Sequence, residues 1–263
     1  MSDLSVELLV VGGGLSGALL AIACAGAGIE TALVDRETPG AMLAEPFDGR
    51  TTALAYGSQQ VLEGLGLWAE IAAEAGPIRE IRVADGASPL FLHYDHRDIG
   101  DRPLGYIVEN RVLRRMLWRQ ARRRPSLTVL APATVAGVTS DDSGADAVLT
   151  DGRRLRAALV AAADGRLSPL RNAAGIGAVT WSYPQTGIVC TVHHQEPHRG
   201  IAVEHFLPAG PFAILPMTGD RSSIVWTEAA ALAPALMALE DDAFLAELTR
   251  RFGDHLGALA LDG

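Results

Sequence analysis

The sequence predicts an α/β chain: a parallel βαβ unit at the N-terminus, a small antiparallel meander near the middle, and a second, antiparallel sheet domain behind it. Three observations carry this. The first is the apolar strand Leu8-Leu9-Val10-Val11 running into Gly12-Gly13-Gly14-Leu15-Ser16-Gly17, with a small-residue helix over 18–27. The second is a set of short alternating segments, separated by Ser143-Gly144 and Asp151-Gly152, that leads into Leu159-Val160-Ala161-Ala162-Ala163. The third is a change of pattern from Gln185, after which extended segments (188–192, 201–207, 212–216, 223–227) follow one another.

The first unit is the most specific. Its glycines are spaced G-x-G-x-x-G, and each has a task. Gly12 allows the tight turn, Gly14 lets the backbone approach a pyrophosphate, and Gly17 lets helix and strand pack closely. The helix then aims unpaired N–H groups and its positive dipole end at the phosphates. The next strand, Thr31-Ala32-Leu33-Val34, ends in Asp35, whose carboxylate can accept hydrogen bonds from ribose hydroxyls. Together these predict a Rossmann-like dinucleotide-binding domain. They do not say which dinucleotide.

The remaining elements follow in order. Residues 37–50 read as a loop rich in Pro, Gly and acid. A helix starts at Ser58, with Val61, Leu62 and Leu65 on one face and a break at Gly64 and Gly66. Segments 78–83 and 90–94 alternate around Asp85-Gly86, as a hairpin does. Residues 111–124 form an amphipathic helix with Val112, Leu113, Met116 and Leu117 inward. The meander strands fall near 134–138, 147–149 and 154–156. The buried-strand run 159–163 stops at Asp164-Gly165, a helix covers 242–252, and no recognisable element closes the chain. The dinucleotide-binding domain is expected over 1–77 and 105–180, with 78–104 inserted from the second domain, which continues over 181–263.

Composition narrows the function classes. The 263 residues carry a net charge of −9, which runs against general nucleic-acid binding. All 22 basic residues are arginine. Arg111, Arg114, Arg115, Arg119, Arg122, Arg123 and Arg124 cluster, and read as the solvated face of a helix ahead of a patch for anionic lipid or a partner. No stretch reaches the ~18 apolar residues of a membrane span. Met1-Ser2-Asp3 lacks a secretory basic region, and two cysteines make no disulfide framework. Cys24 reads as a buried thiol, and a cytoplasmic protein is expected. The histidine groups His193, His194, His198 and His93, His96 lack a zinc spacing and read as polar strand ends, so no metal is expected. Ser16 and Ser168 sit in no G-x-S-x-G elbow.

Three further segments bear on the cofactor. In Phe47-Asp48-Gly49-Arg50-Thr51-Thr52-Ala53-Leu54-Ala55 an arginine follows a loop at the start of a helix. It can neutralise a diphosphate or be an ordinary surface residue. In Ala162-Ala163-Asp164-Gly165-Arg166-Leu167-Ser168-Pro169-Leu170-Arg171 a carboxylate ends a strand where open sheets bind ligands, or simply makes a turn. Glu204-His205-Phe206-Leu207-Pro208-Ala209-Gly210-Pro211-Phe212-Ala213-Ile214-Leu215-Pro216 suits a sheet lining an apolar pocket, or plain sheet core.

In this order and spacing, these residues resemble the flavoprotein aromatic hydroxylases of the p-hydroxybenzoate hydroxylase class over essentially the whole chain. They look most like the ubiquinone-biosynthesis hydroxylases of the 2-polyprenyl-6-methoxyphenol type. The resemblance implies FAD, with Gly12, Gly14 and Gly17 at the pyrophosphate and Asp35 and Arg36 at the adenosine end. It implies Arg50 and Arg111 toward the diphosphate and ribityl side, Val135 touching adenine through its backbone, and Asp164 serving the FAD and NAD(P)H sites together. It further implies NAD(P)H and O2 as co-substrates and a prenylated phenol as substrate, with an apolar channel between Ile188 and Trp226. No catalytic residue is dictated by the sequence. Peripheral contact with the inner membrane and a ubiquinone-synthesis protein complex are the partners that go with such a substrate.

One departure stands against these matches. The family's later Gly-Asp-Ala-Ala-His motif is absent: Gly219-Asp220 reads as a turn, and Gly253-Asp254-His255 lies at a helix end. The chain therefore reads as a truncated member, inactive alone. The alternatives are a non-catalytic scaffold of a quinone-synthesis complex and an NAD-dependent dehydrogenase built on the same βαβ unit.

Overall fold

The computed structural model describes residues 4–38, 40, 49–86, 88 and 90–262. Phe47, Asp48 and most of the loop over 37–50 lie outside the described residues. In chain order the first strands are β1 (Leu4–Val11), β2 (Thr31–Val34), β3 (Thr51–Ala55), β4 (Ala75–Ile78), β5 (Glu80–Asp85), β6 (Phe91–Asp95), β7 (Gly105–Glu109) and β8 (Leu127–Leu130). They are followed by β9 (Val135–Asp141), β10 (Gly144–Leu149), β11 (Arg154–Ala162), β12 (Gln185–His194), β13 (Ile201–Leu207), β14 (Gly210–Pro216), β15 (Arg221–Ala229) and β16 (Leu259–Leu261). The helices are α1 (Leu15–Gly26), α2 (Tyr56–Gly64), α3 (Asn110–Ala121), α4 (Pro169–Ala173), α5 (Ala233–Met237) and α6 (Asp241–Phe252). The chain divides into two units, Met1–Pro46 with Leu113–Thr180, and Phe47–Val112 with Trp181–Gly263.

The first unit holds a six-stranded sheet in the order β8-β2-β1-β11-β10-β9. Strands β8, β2, β1 and β11 are parallel. Leu8, Leu9, Val10, Val11, Ala32, Leu33 and Val34 are all buried, as expected of strands covered on both faces. The expected meander is present, but it is not a separate piece. Strands β10 and β9 pair antiparallel onto β11 and extend the same sheet. The predicted strand at 154–156 and the run at 159–163 are one nine-residue strand, β11. Its C-terminal half is not the buried strand that its apolar run predicts: Leu155 and Ala157 are core, whereas Leu159 is 64% exposed. An apolar run reports β propensity, not which stretch lies beneath another layer.

The second unit holds a seven-stranded sheet, β16-β12-β15-β14-β13-β5-β6, and a three-stranded one, β3-β7-β4. The predicted hairpin at Asp85-Gly86 is β5 paired with β6, and β5 also pairs parallel with β13, so it forms one end of the large sheet. One face of that sheet carries Ile188, Cys190, Val192, Phe212, Ile214, Ile224 and Trp226 into a core shared with Leu248 and Phe252 of α6.

Several expectations are corrected here. Arg50 leads into a strand, not a helix, because Thr51 and Thr52 are β-branched and β3 finds a partner in β7. Residues 47–77 and 105–112 then group with the second unit, through β3, β4 and β7, rather than with the dinucleotide-binding domain to which the sequence reading assigned them. Helix α2 starts two residues before Ser58, which turns Val61 outward and leaves Leu62 inward. Its end matches the Gly64–Gly66 break. Gly66 has φ +72°, and the Gly66 and Leu67 N–H groups donate to Glu63 and Leu62 carbonyls, closing the helix as a Schellman turn. Residues 259–261 form β16 on β12, an element too short to leave a sequence pattern. Cys24 is half-buried, because α1 turns Ala18, Ala21, Ile22 and Ala25 inward instead. Helix α3 buries Val112, Leu113, Met116 and Leu117 as predicted, and Arg111, Arg115, Arg119, Arg122 and Arg123 are exposed.

Candidate cofactor site

In the first unit, the loops that follow the four parallel strands are laced together at the backbone. The Gly12 N–H donates to the Val34 carbonyl (2.8 Å), Ala163 N–H to Val11 (2.7 Å), Asp35 N–H to Leu130 (3.1 Å), and Ala133 N–H to Asp35 (2.7 Å). Because β2 lies on one side of β1 and β11 on the other, the crevice between their carboxyl ends is the point where open α/β sheets bind ligands.

The three glycines behave differently there. Gly12 has φ +105°, and a Cβ on it would lie 2.2 Å from the Ala163 carbonyl oxygen. A Cβ on Gly17 would lie 1.9 Å from the Gly12 oxygen and 2.9 Å from the Ala163 Cβ. Both positions need glycine for the protein's own packing. A Cβ on Gly14 would meet no atom of the described residues within 4 Å. Gly14 is the N-cap of α1, with no side-chain cap and no acid in the first turn. The first-turn N–H groups and the dipole therefore face open space, and this cradle fits a diphosphate.

Asp35 is held by the same loop. Its Oδ2 accepts from the Gly13 N–H at 2.5 Å, and its Oδ1 from the Glu37 N–H at 2.8 Å. Each oxygen retains a lone pair for a ribose hydroxyl. Arg36 beside it is exposed, and Val135 opens the edge strand β9. Asp164 follows β11, next to the carbonyl that Gly12 approaches. Its Oδ1 accepts from the Ser168 hydroxyl and its Oδ2 from the Leu170 N–H (3.2 Å), so it also caps α4. Replacing Asp35 with alanine is expected to weaken dinucleotide binding about 10- to 100-fold, the size of a hydrogen bond to a charged group. An unchanged dissociation constant by calorimetry would leave Asp35 with only its role in bonding Gly13.

Trp118 is the residue that sequence reasoning missed. It is 1% exposed on α3, and a Cβ on Gly13 would lie 2.6 Å from its ring and 3.1 Å from Asp35. Gly13 is thus pinned between an indole and a carboxylate. The available signal was its place beside Leu117 on the inward face of the helix.

In the second unit, the structure brings Arg50 and Arg111 to one corner. The Arg50 carbonyl accepts from the Asn110 N–H (3.0 Å), and the Thr52 hydroxyl donates to Asn110 Oδ1 (2.6 Å). Both arginines are exposed, and Arg111 is steered by the buried Glu109. The other Glu109 oxygen takes Arg221 (3.2 Å), which also bonds Asp262 (2.7 Å). Two guanidinium groups from adjacent backbone suit an anionic ligand.

Four of the five clustered histidines have protein partners; the buried His96 Nδ1 has none among the described residues. His194 bonds the Glu196 carbonyl (2.7 Å) and the Ser222 hydroxyl (3.2 Å), and burial holds its ring below the ordinary histidine range. His198 bonds the Met217 carbonyl (2.8 Å) and the Gly200 N–H (2.9 Å). His193 pairs with Asp262, and His93 with Glu80. Burial pushes the Cys190 thiol up to about 12, which leaves it unreactive.

Comparison with known proteins bears on this geometry. The FAD binding domain family matches residues 5–260. A ubiquinone hydroxylase, UbiL, of Rhodospirillum rubrum is 52% identical over 256 residues, covering 97% of this chain and 59% of that protein. The 3-demethoxyubiquinol 3-hydroxylase of Escherichia coli is 29% identical over 259 residues, covering 98% of this chain and 66% of the relative. The chain thus spans about three-fifths of the length of such relatives. Among solved structures, pqsL, a probable FAD-dependent monooxygenase from Pseudomonas aeruginosa, superposes with a TM-score of 0.78 at 22% identity, over 94% of this chain and 67% of that one.

Proposed function

Because the chain belongs to the FAD binding domain family, we propose that it serves a flavin-dependent monooxygenase that hydroxylates a prenylated phenol in ubiquinone biosynthesis, using NAD(P)H and O2. The observation that carries the reading is the uncapped N-terminus of α1, with open space before Gly14. The similarity to the Rhodospirillum and Escherichia hydroxylases supports the substrate class. The family match favours flavin over the nicotinamide-dehydrogenase alternative.

Bound FAD supplies the redox chemistry that takes electrons from NAD(P)H and activates oxygen. The chain's own residues bind and orient it. In the first unit, Gly12, Gly14 and Gly17 cradle the pyrophosphate, Asp35 and Arg36 hold the adenosine end, and Val135 meets adenine through its backbone. Asp164 stands at the end of β11, where it serves the flavin and nicotinamide sites. In the second unit, Arg50 and Arg111 offer cations suited to a diphosphate. No helix among the described residues is long and apolar enough to cross a membrane. A prenylated phenol resides in the bilayer, so the reading places the protein on the cytoplasmic side of the inner membrane, in peripheral contact or within a quinone-synthesis complex.

The test is purification of the protein from its source, with flavin identified after extraction. It is then incubated with NADPH, air and 2-prenylphenol, and products are analysed by mass spectrometry. Bound FAD and a product heavier by one oxygen are expected. Protein that carries no flavin, or carries it and oxidises NADPH without hydroxylating the phenol, would overturn the proposal.

A further inference from the structure

The face of the seven-stranded sheet opposite α6 is not uniform. Strand register sets side chains in rows across it. One row reads Thr191, Ser223, Leu215, Ala202 and Ile81. The three-stranded sheet covers it: the Thr51 and Ser223 hydroxyls bond at 2.9 Å, and Ala202 packs in a cluster with Ile78 and Ile107. The next row reads Val189, Val225, Ala213, Glu204, Val83 and Leu92. It is partly open, with Val189 42% and Leu92 62% exposed. Five of its members are apolar. The sixth is a carboxylate.

Glu204 is half-buried, and among the described residues it has no hydrogen-bond or ion-pair partner. A half-buried carboxylate without a partner is costly, and the more deeply buried carboxylates Asp95, Glu109 and Glu228 are paired. Its surroundings are built for an apolar guest. Val83, Leu92 and Phe206, which share its face of the sheet, line an open apolar groove at the sheet edge. The Arg50 segment reaches the same face, since Gly49 lies over Val189 and Thr51 bonds Ser223. From Ser223 to Glu204 is two strand spacings across and two residues along, roughly 12 Å.

We propose that this row is the seat of an aromatic alcohol, with Glu204 accepting the hydrogen bond of the phenol hydroxyl and the open Val83–Leu92–Phe206 groove taking the apolar substituent. The proposal rests on the monooxygenase reading for its substrate class and adds the residue that orients the ring. A phenol supplies the one donor that Glu204 lacks, and its ring and tail match the five apolar neighbours. Burial lifts the Glu204 carboxyl above the ordinary carboxylate range, so it is a stronger acceptor than a surface glutamate. Hydrogen bonding to the carboxylate draws the hydroxyl proton toward Glu204 Oε and raises the electron density of the ring. The proton remains shared between the two oxygens and no bond to carbon changes in this step.

The test compares 2-prenylphenol with its methyl ether, which keeps ring and tail but has no O–H. Binding to the flavin-loaded protein is measured by equilibrium dialysis for the wild type, Glu204→Gln and Glu204→Ala. The wild type is expected to prefer the phenol about tenfold, the size of one hydrogen bond to a charged acceptor. That preference should collapse to about twofold or less in Glu204→Ala and fall to about threefold in Glu204→Gln, whose neutral amide oxygen still accepts a weaker hydrogen bond, while binding of the ether stays unchanged. Equal binding of phenol and ether by the wild type, or an undiminished preference in Glu204→Gln, would overturn the assignment. A collapsed preference together with a wild type that forms no hydroxylated product would uphold Glu204 and overturn the hydroxylase reading instead.

Discussion

Replacing Gly17 with alanine is expected to destabilise the protein by about 3 kcal/mol or more, at the upper end of what overpacking costs. The added methyl would lie 1.9 Å from the Gly12 carbonyl oxygen and 3.1 Å from its carbon. Both are backbone atoms of the turn that joins β1 to α1, so no side-chain rotation relieves the clash. The helix must lift away from the turn, and the turn itself is bonded to Val34 through the Gly12 N–H. A loss of that size is a large share of the 5–15 kcal/mol that typically separates folded from unfolded states. The measurement is the urea midpoint of the variant beside Gly57→Ala in α2, where a Cβ meets no described residue within 4 Å. Gly57→Ala should be neutral or slightly stabilising, because alanine is the better helix residue. A Gly17→Ala midpoint equal to that of the parent would show that helix and turn have slack between them, and overturn the expectation.

Gly14→Val should do the opposite: leave the fold and remove the cofactor. Among the described residues nothing lies within 4 Å of a Cβ at Gly14, and the residue already has ordinary φ and ψ (−63°, −178°) for an L-amino acid. The side chain would instead fill the space before the α1 N-terminus. Two lost charge-assisted hydrogen bonds from that terminus to a diphosphate imply affinity weaker on the order of a hundredfold or more. The measurements are the ratio of flavin to protein after purification and the urea midpoint of the flavin-free form. Full flavin content in Gly14→Val would remove the α1 terminus from the binding site. A collapsed midpoint would mean that Gly14, like Gly17, serves the fold.

The contrast between these two glycines shows how far the sequence reaches. G-x-G-x-x-G names three positions and predicts that each matters. The spacing does not say that Gly12 and Gly17 are demanded by protein backbone while Gly14 is demanded by open space. That distinction lies in the distances to Ala163, which is 151 residues from Gly12 and adjacent to it only because β11 pairs with β1.

By itself the sequence determined the parallel βαβ unit, the acid at the end of β2, the inward stripe of α3 and the extended strands of the second sheet. Each is a local signal: hydrophobic period, glycine spacing or a strand-ending residue, set by neighbours a few positions away. Only the tertiary structure decided what depends on partners distant in the chain. Arg50 precedes a strand because β7 is there to pair with β3. The meander joins the parallel sheet because β11 is shared between them. Leu159 lies exposed although its run is as apolar as Leu8–Val11, since burial depends on what covers a strand and not on its composition. Glu204 is one acid among many in the sequence. It becomes the lone polar group of an apolar row only when five other strands place Val189, Val225, Ala213, Val83 and Leu92 in register with it. Register is a long-range property of hydrogen-bonded ladders, and no window of sequence contains it.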